Sequence, residues 1–221
     1  TNQIVSYRFL RKSIDARKKS DVRFCANLGV TIDNIALPEE DIVAKCNDSS
    51  VSIFVPYKAR PVKTARCNLP PVVCGAGPAG LFAALWLSYA GLKPILIERG
   101  ADADTRIRKI EAFNSGGTLD VKANIQFGEG GAGTFSDGKL YTRSKKKGSI
   151  RRILEIFHLF GAQDEILYEA HPHIGTDRLP IIIKNMREKI IACGGEVRFE
   201  TKMVELLIQD NFVRGILLEN G

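Results

Sequence analysis

Paired cysteine spacing is missing from this sequence. Its five cysteines, Cys25, Cys46, Cys67, Cys74 and Cys193, are odd in number, scattered, and never fall as C-x-x-C. Neither a zinc site nor a disulfide framework is expected, and a reducing compartment fits best. Histidine is scarce as well. Of the three, His171 and His173 stand two apart with no third ligand nearby, so no metal is expected. The first residues, Thr-Asn-Gln-Ile-Val-Ser-Tyr, carry no signal-peptide pattern, and the expected location is cytoplasmic. They also lack a starting Met, as in a processed or trimmed chain, which leaves room for an organelle after removal of a targeting segment. Charge is absent from Leu69 to Leu92, a run long enough to span a bilayer. That run contains prolines and glycines that split it into strand, turn and helix, so no membrane span is expected.

The chain has 221 residues, enough for one medium domain and a smaller one, and 44% are hydrophobic, an ordinary fraction for a buried core. The net charge of +7 is uneven. Residues 1–70 hold twelve Lys/Arg against seven Asp/Glu, a balance of +5. Between Asp137 and Glu155 stand Lys139, Arg143, Lys145, Lys146, Lys147, Arg151 and Arg152 with no acid among them. Such a run suits either a solvated face or an acidic partner.

The chain is organised around Pro71-Val72-Val73-Cys74-Gly75-Ala76-Gly77-Pro78-Ala79-Gly80, followed by a helical run and then Ile95-Leu96-Ile97-Glu98-Arg99. A short apolar strand enters G-x-G-x-x-G, the glycines open a helix, and an acid ends the next strand. Gly75 permits a sharp turn, Gly77 lets backbone approach a pyrophosphate, and Gly80 lets helix and strand pack closely. The free N–H groups at the helix start attract phosphates. Glu98 stands where a carboxylate accepts hydrogen bonds from ribose hydroxyls, and it would repel a 2′-phosphate, disfavouring NADP there. A dinucleotide site is expected.

Before this unit, Val22, Phe24, Ala26, Leu28, Val30 and Ile32 alternate with smaller or polar residues, the pattern of a strand with one buried face. Val5, Tyr7 and Phe9 alternate similarly, Pro38-Glu39-Glu40-Asp41 reads as a helix start, and Val51–Val55 reads as a further strand. Residues 1–56 are therefore expected to form a small α+β domain, 57–70 a proline-rich basic linker, and 71–221 the nucleotide-binding domain.

Beyond Arg99 lies Phe127-Gly128-Glu129-Gly130-Gly131-Ala132-Gly133-Thr134-Phe135-Ser136, with four glycines in six residues. No helix or strand interior tolerates that density, and the flanking aromatics argue against a flexible linker. Backbone approach to a bulky cofactor is the natural use. Ser149 is expected to cap a helix with Ile150, Ile153, Leu154 and Phe157 on its apolar face. Thr176-Asp177 is expected to cap the next, whose face is Leu179, Ile182, Ile183, Met186 and Ile190. Glu196–Phe199 reads as a strand, and residues 202–208 and 212–218 as a hairpin about Asp210-Asn211, giving a β-meander.

These motifs resemble the flavoproteins of the glutathione-reductase/fumarate-reductase superfamily, in which G-x-G-P-A-G with a strand-ending E-R binds the ADP part of FAD. The nearest resemblance is to a family of FAD-dependent dehydrogenases (NAD(P)/FAD-dependent oxidoreductases). It extends over nearly all of the chain and is most specific from Gly128 to Leu140. It implies a Rossmann-like FAD-binding domain, preceded by the small α+β domain, with an inserted β-meander. Gly75, Gly77, Pro78, Ala79 and Gly80 would hold the pyrophosphate, Glu98 the ribose, and Arg99 would lie beside the adenine. Arg106, Gly130, Gly131, Thr134 and Ser136 would line the path to the isoalloxazine, and Thr201-Lys202-Met203 would meet the adenine through backbone. The A-T-G-like closing turn and the flavin-covering C-terminal part of such proteins are not in this sequence, which on this resemblance reads as their N-terminal part. The activity implied is hydride or electron transfer through FAD on a small-molecule substrate, with NAD(P)H as candidate electron donor. No catalytic base is assigned; His173 is the one weak candidate, because imidazole titrates near neutrality. Two alternatives stand beside this reading. One is a non-catalytic nucleotide-fold protein whose basic residues 139–152 meet RNA or another acidic partner, weakened by Tyr141 being the only aromatic in the run. The other is NAD in place of FAD, weakened by the second glycine-rich loop.

Overall fold

The computed structural model describes residues 4–33, 36–135, 138–140 and 148–219. The chain divides into two compact units: Thr1–Arg60 with Tyr141–Glu155 and Asp164–Pro172, and Pro61–Leu140 with Ile156–Gln163 and His173–Gly221.

In the first unit, the two alternating stretches pair as an antiparallel hairpin, β1 (Ile4–Asp15) with β2 (Arg23–Ile32). Tyr7 faces Val30 and Phe9 faces Leu28 before a bulge between Phe9 and Arg11 shifts the register. Phe9 stacks on Tyr168 with ring centroids 5.3 Å apart, while Lys12 donates to the Tyr168 carbonyl and accepts from Ala170 N–H. Helix α1 (Glu39–Cys46) starts after Pro38 with three acids in its first turn and ends at a left-handed Asn47. The expected strand at 51–55 does not form. A strand pattern makes a strand only where another strand pairs with it, and among the described residues none takes up 51–55.

The second unit is built on a three-stranded parallel sheet in the order β3–β4–β5, namely Val72–Cys74, Ile95–Ile97 and Glu196–Arg198. Helix α2 (Pro78–Tyr89) leaves the G-x-G-x-x-G turn, and α3 (Ala103–Asn114) follows β4. Asp102 caps α3 by accepting from Thr105 N–H and its hydroxyl. Helix α4 (Ile150–Leu159), of which residues 150–155 belong to the first unit and 156–159 to the second, begins after Ser149, whose hydroxyl accepts from Arg152 N–H. It buries Leu154, Ile156 and Phe157 and leaves Ile150 and Ile153 exposed, so the expected apolar face is turned by part of a turn. Helix α5 (Leu179–Ala192) buries the five residues of its expected face and packs on α2, whose Leu81, Ala84 and Leu85 complete the core.

The expected cap of α5 is not made. Its N-cap is Arg178, without a side-chain cap bond. The carboxylate of Asp177 is turned back over Gly175, where an added Cβ would collide with it, and the Gly175 carbonyl takes Arg178 N–H and Leu179 N–H instead. The hairpin β6 (Met203–Gln209) and β7 (Phe212–Leu218) forms a separate two-stranded sheet. Asp210 and Asn211 have φ of 52° and 62°, as a mirror-image two-residue turn requires. The molecule is thus a mixed α/β protein with a parallel sheet. Among the described residues, no helix is long and apolar enough to cross a membrane.

Candidate functional site

The turn after β3 is shaped by its glycines. Gly75 has φ of +95°, a region that L side chains rarely adopt. A Cβ on Gly80 would lie 1.8 Å from the Gly75 carbonyl oxygen and 3.5 Å from Val73 Cγ1, so only glycine lets α2 sit this close to the turn. Gly77 is different. It is the N-cap of α2, with φ of −65°, and a Cβ there would meet nothing within 4 Å. The start of α2 therefore presents backbone N–H groups beside open space, the arrangement that favours anions.

Glu98, at the end of β4, is buried and held by backbone. Its Oε2 accepts from Ala76 N–H at 2.8 Å and its Oε1 from Gly100 N–H at 2.9 Å. The acid thus ties the first glycine turn to the end of the neighbouring strand, and each oxygen keeps a further lone pair. Arg99 is exposed. Thr201 N–H donates to the Glu98 carbonyl, and Met203 Sδ lies 3.4 Å from Cys74 Sγ, so the adenine-side residues of the sequence reading gather at the same sheet ends.

The second glycine-rich loop comes back onto the first. Gly130 N–H donates to the Ala76 carbonyl at 3.0 Å, and a Cβ on Gly131 would fall 2.9 Å from Pro78 Cδ. Gly128, Gly130 and Gly131 all have positive φ, and residues 131–135 form a single 3-10 turn. Thr134 is buried and donates to the Glu129 carbonyl. Ser136 lies outside the described residues.

Arg106 of α3 clasps this loop. Only 2% exposed, it donates from Nε to the Asn124 carbonyl and from Nη1 to the carbonyls of Glu129 and Gly131. Its guanidinium lies 4.6 Å over the Phe135 ring. Among the described residues, its buried Nη2 has no hydrogen-bond partner. Burial pulls its pKa below the usual arginine value, opposed by the charges of Glu98 and Glu129.

Sequence reasoning missed two residues here. Glu129 has 0% exposure and accepts from Ala103 N–H at 2.7 Å and from Arg187 of α5 at 2.8 and 3.0 Å. Burial pushes its carboxyl above the ordinary range, while the Ala103 N–H and the Arg187 charge pull it back. The only signal in the sequence was an acid embedded among glycines, in a loop too glycine-rich to bury anything else.

His173 stands apart from this cluster. It is exposed, bridges Lys139 in backbone pairing, and accepts at its carbonyl from Gln163 Nε2. Among the described residues, no group of three or more His, Cys, Asp or Glu is placed to hold a metal. In the basic run, Arg151 and Arg152 pair with Glu155, and Tyr141, Arg143, Lys145, Lys146 and Lys147 lie outside the described residues.

No protein-family model matches the chain. It is 40% identical over 214 residues to a protein of Clostridium beijerinckii described only as an uncharacterized protein. The match covers 96% of this chain and 39% of the relative, so the chain spans about two fifths of the length of that protein.

Proposed function

We propose that the second unit is the FAD-binding part of an oxidoreductase, a Rossmann-like domain in which flavin carries hydride or electron transfer. The observation that carries this reading is the meeting of two glycine-rich loops at the start of α2, with a buried, cationic Arg106 beside them whose Nη2 has no partner among the described residues. A buried guanidinium N–H without an acceptor is uncommon, and a phosphate oxygen is the acceptor that both its charge and the α2 N-terminus favour.

The residues present fit the cofactor. The N–H groups of Pro78's successors Ala79 and Gly80, with the backbone of Gly75 and Gly77, would take the pyrophosphate. The free lone pairs of Glu98 would take ribose hydroxyls, and the start of β6 near Met203 would meet the adenine. Gly130, Gly131 and Thr134 would border the pyrophosphate on its other side. When bound, FAD would supply two-electron chemistry. The chain's own part is to bind, orient and shield it: the G-x-G turn fixes the phosphates, and Arg106 and Glu129 fix the second loop. A small-molecule substrate and NAD(P)H as electron donor complete the proposal, and no side chain is assigned as base.

The visible absorption spectrum of the purified protein, taken before and after adding FAD and desalting, tests this. Flavin bands are expected to survive desalting. Their absence from both this chain and a protein of the relative's full length would refute the flavoprotein reading.

A further inference from the structure

The loop Gly128-Glu129-Gly130-Gly131 has one side chain beyond a glycine hydrogen, and that side chain is fully buried. Three positive-φ glycines give such a segment many conformations and nothing of its own to pack. Beside the backbone bonds to Arg106 and Ala76, the one side chain that can fix it is that of Glu129. Its carboxylate joins the first N–H of α3, at Ala103, to Arg187 on α5, which is itself mostly buried and lies 5.2 Å over the Phe199 ring. Its carbonyl takes Arg106 Nη1 and the Thr134 hydroxyl. Three elements that approach from different directions thus converge on one residue. The next residue, Gly130, donates to Ala76 in the first glycine turn.

A buried ion pair is a poor source of stability, because desolvation offsets most of its attraction, and an apolar pair of the same volume does as well. What it supplies is geometry. Its directional bonds allow one position, whereas apolar packing would let a glycine loop slide.

We propose that Glu129, held by Arg187 and Ala103 N–H, is the positioning residue that sets how closely Gly130 and Gly131 approach the start of α2, and thereby the protein's affinity for a pyrophosphate-bearing dinucleotide. The affinity clause rests on the function proposed above; the loop-positioning clause does not.

The test compares Glu129→Gln and Arg187→Lys with Ile182→Val, a buried change on the same helix as Arg187. Arg187→Lys keeps the charge that Glu129 needs but replaces the planar guanidinium, whose Nη1 meets both carboxylate oxygens, with a shorter ammonium, so it remains informative where Glu129→Gln fails to fold. Hydrogen exchange of the peptide spanning 128–135, measured without flavin, is expected to quicken at least about tenfold in the Glu129 and Arg187 variants and to stay at the parent rate in Ile182→Val. FAD affinity, measured by flavin fluorescence, is expected to weaken about tenfold or more in the same two variants. Parent exchange rates in Arg187→Lys would overturn the proposal, as would an equal loss of FAD affinity in Ile182→Val. A parent protein that binds no FAD refutes the flavoprotein reading alone, and the exchange measurement still decides the role of Glu129.

Discussion

Two glycines of one motif, three residues apart, are expected to answer the same substitution in opposite ways. In Gly77→Ala the new methyl meets no protein atom within 4 Å, and φ of −65° suits alanine. Losing glycine at an N-cap costs about 1 kcal/mol, while removing glycine's freedom from the unfolded chain returns about 0.4–1 kcal/mol. The melting temperature should therefore move by no more than a few degrees. The methyl is added at the N-cap, next to the first turn of α2, and each hydrogen bond to a charged phosphate that it displaces is worth about 1.5–3 kcal/mol, or about tenfold to a hundredfold in affinity. In Gly80→Ala the methyl would lie 1.8 Å from the Gly75 carbonyl oxygen. No rotamer relieves a backbone clash, so α2 must shift away from the turn. Overpacking of this kind costs about 1–3 kcal/mol, against about 1 kcal/mol returned by alanine's helix propensity. A drop of several degrees is expected. Thermal melts followed by circular dichroism and FAD titrations followed by flavin fluorescence separate the two effects. Gly77→Ala binding FAD like the parent would remove the pyrophosphate from the start of α2, and Gly80→Ala melting like the parent would refute the packing argument.

Two further outcomes are expected. Asp102 caps α3; burial raises its pKa, but the Thr105 hydroxyl and N–H and the Arg187 charge outweigh this and leave it below the ordinary carboxylate value. A depressed pKa contributes stability that is present above the unfolded value, about 3.9, and lost as pH falls through the folded one. The stability advantage of the parent over Asp102→Asn should thus shrink below about pH 4; a gap that stays constant from pH 7 to 3 would contradict it. At the β6–β7 turn, Asn211→Gly is expected to stabilise the hairpin by a few tenths of a kcal/mol, because φ of 62° suits glycine better than asparagine, and slower amide exchange across Met203–Gln209 would register it.

What the sequence disclosed was whatever depends on local pattern. The G-x-G-x-x-G turn, the buried face of α5 and the hairpin at Asp210-Asn211 follow from spacing and from backbone conformations that few residues allow, and each stands where its residues imply. The failures came where a distant partner decides. Val51–Val55 has the strand pattern, yet a strand needs a pairing partner that the local sequence does not specify. Thr176-Asp177 is the local exception: it has the composition of a helix cap, but Asp177 turns back over Gly175, two residues before it. Arg187 carries no local signal of its role, because its partner lies 58 positions away in a loop with no periodicity to read.

The acid at the end of β4 shows why a dinucleotide fingerprint carries more structural information than its ligand contacts require. Glu98 is commonly valued for what it offers a ribose, yet here both its oxygens already hold backbone N–H groups, one in the first glycine turn and one just past its own strand. A side chain that closes a turn across two parallel strands must stand at the strand end, and the helix between those strands fixes how many residues intervene. The spacing between Gly75 and Glu98 is therefore set by the fold before any cofactor is considered. Replacing Glu98 would strand two buried N–H groups, each costing about 1–3 kcal/mol, and would loosen the turn that presents α2. The same logic governs Glu129, which performs for the second loop what Glu98 performs for the first. Each of the two glycine-rich segments is tied to its surroundings by one buried carboxylate, Glu98 accepting the Ala76 N–H of the first and Glu129 of the second accepting the Ala103 N–H of α3. Under the proposed function, rigid placement of flexible backbone is what phosphate recognition by N–H groups would demand, and the two carboxylate anchors would supply it.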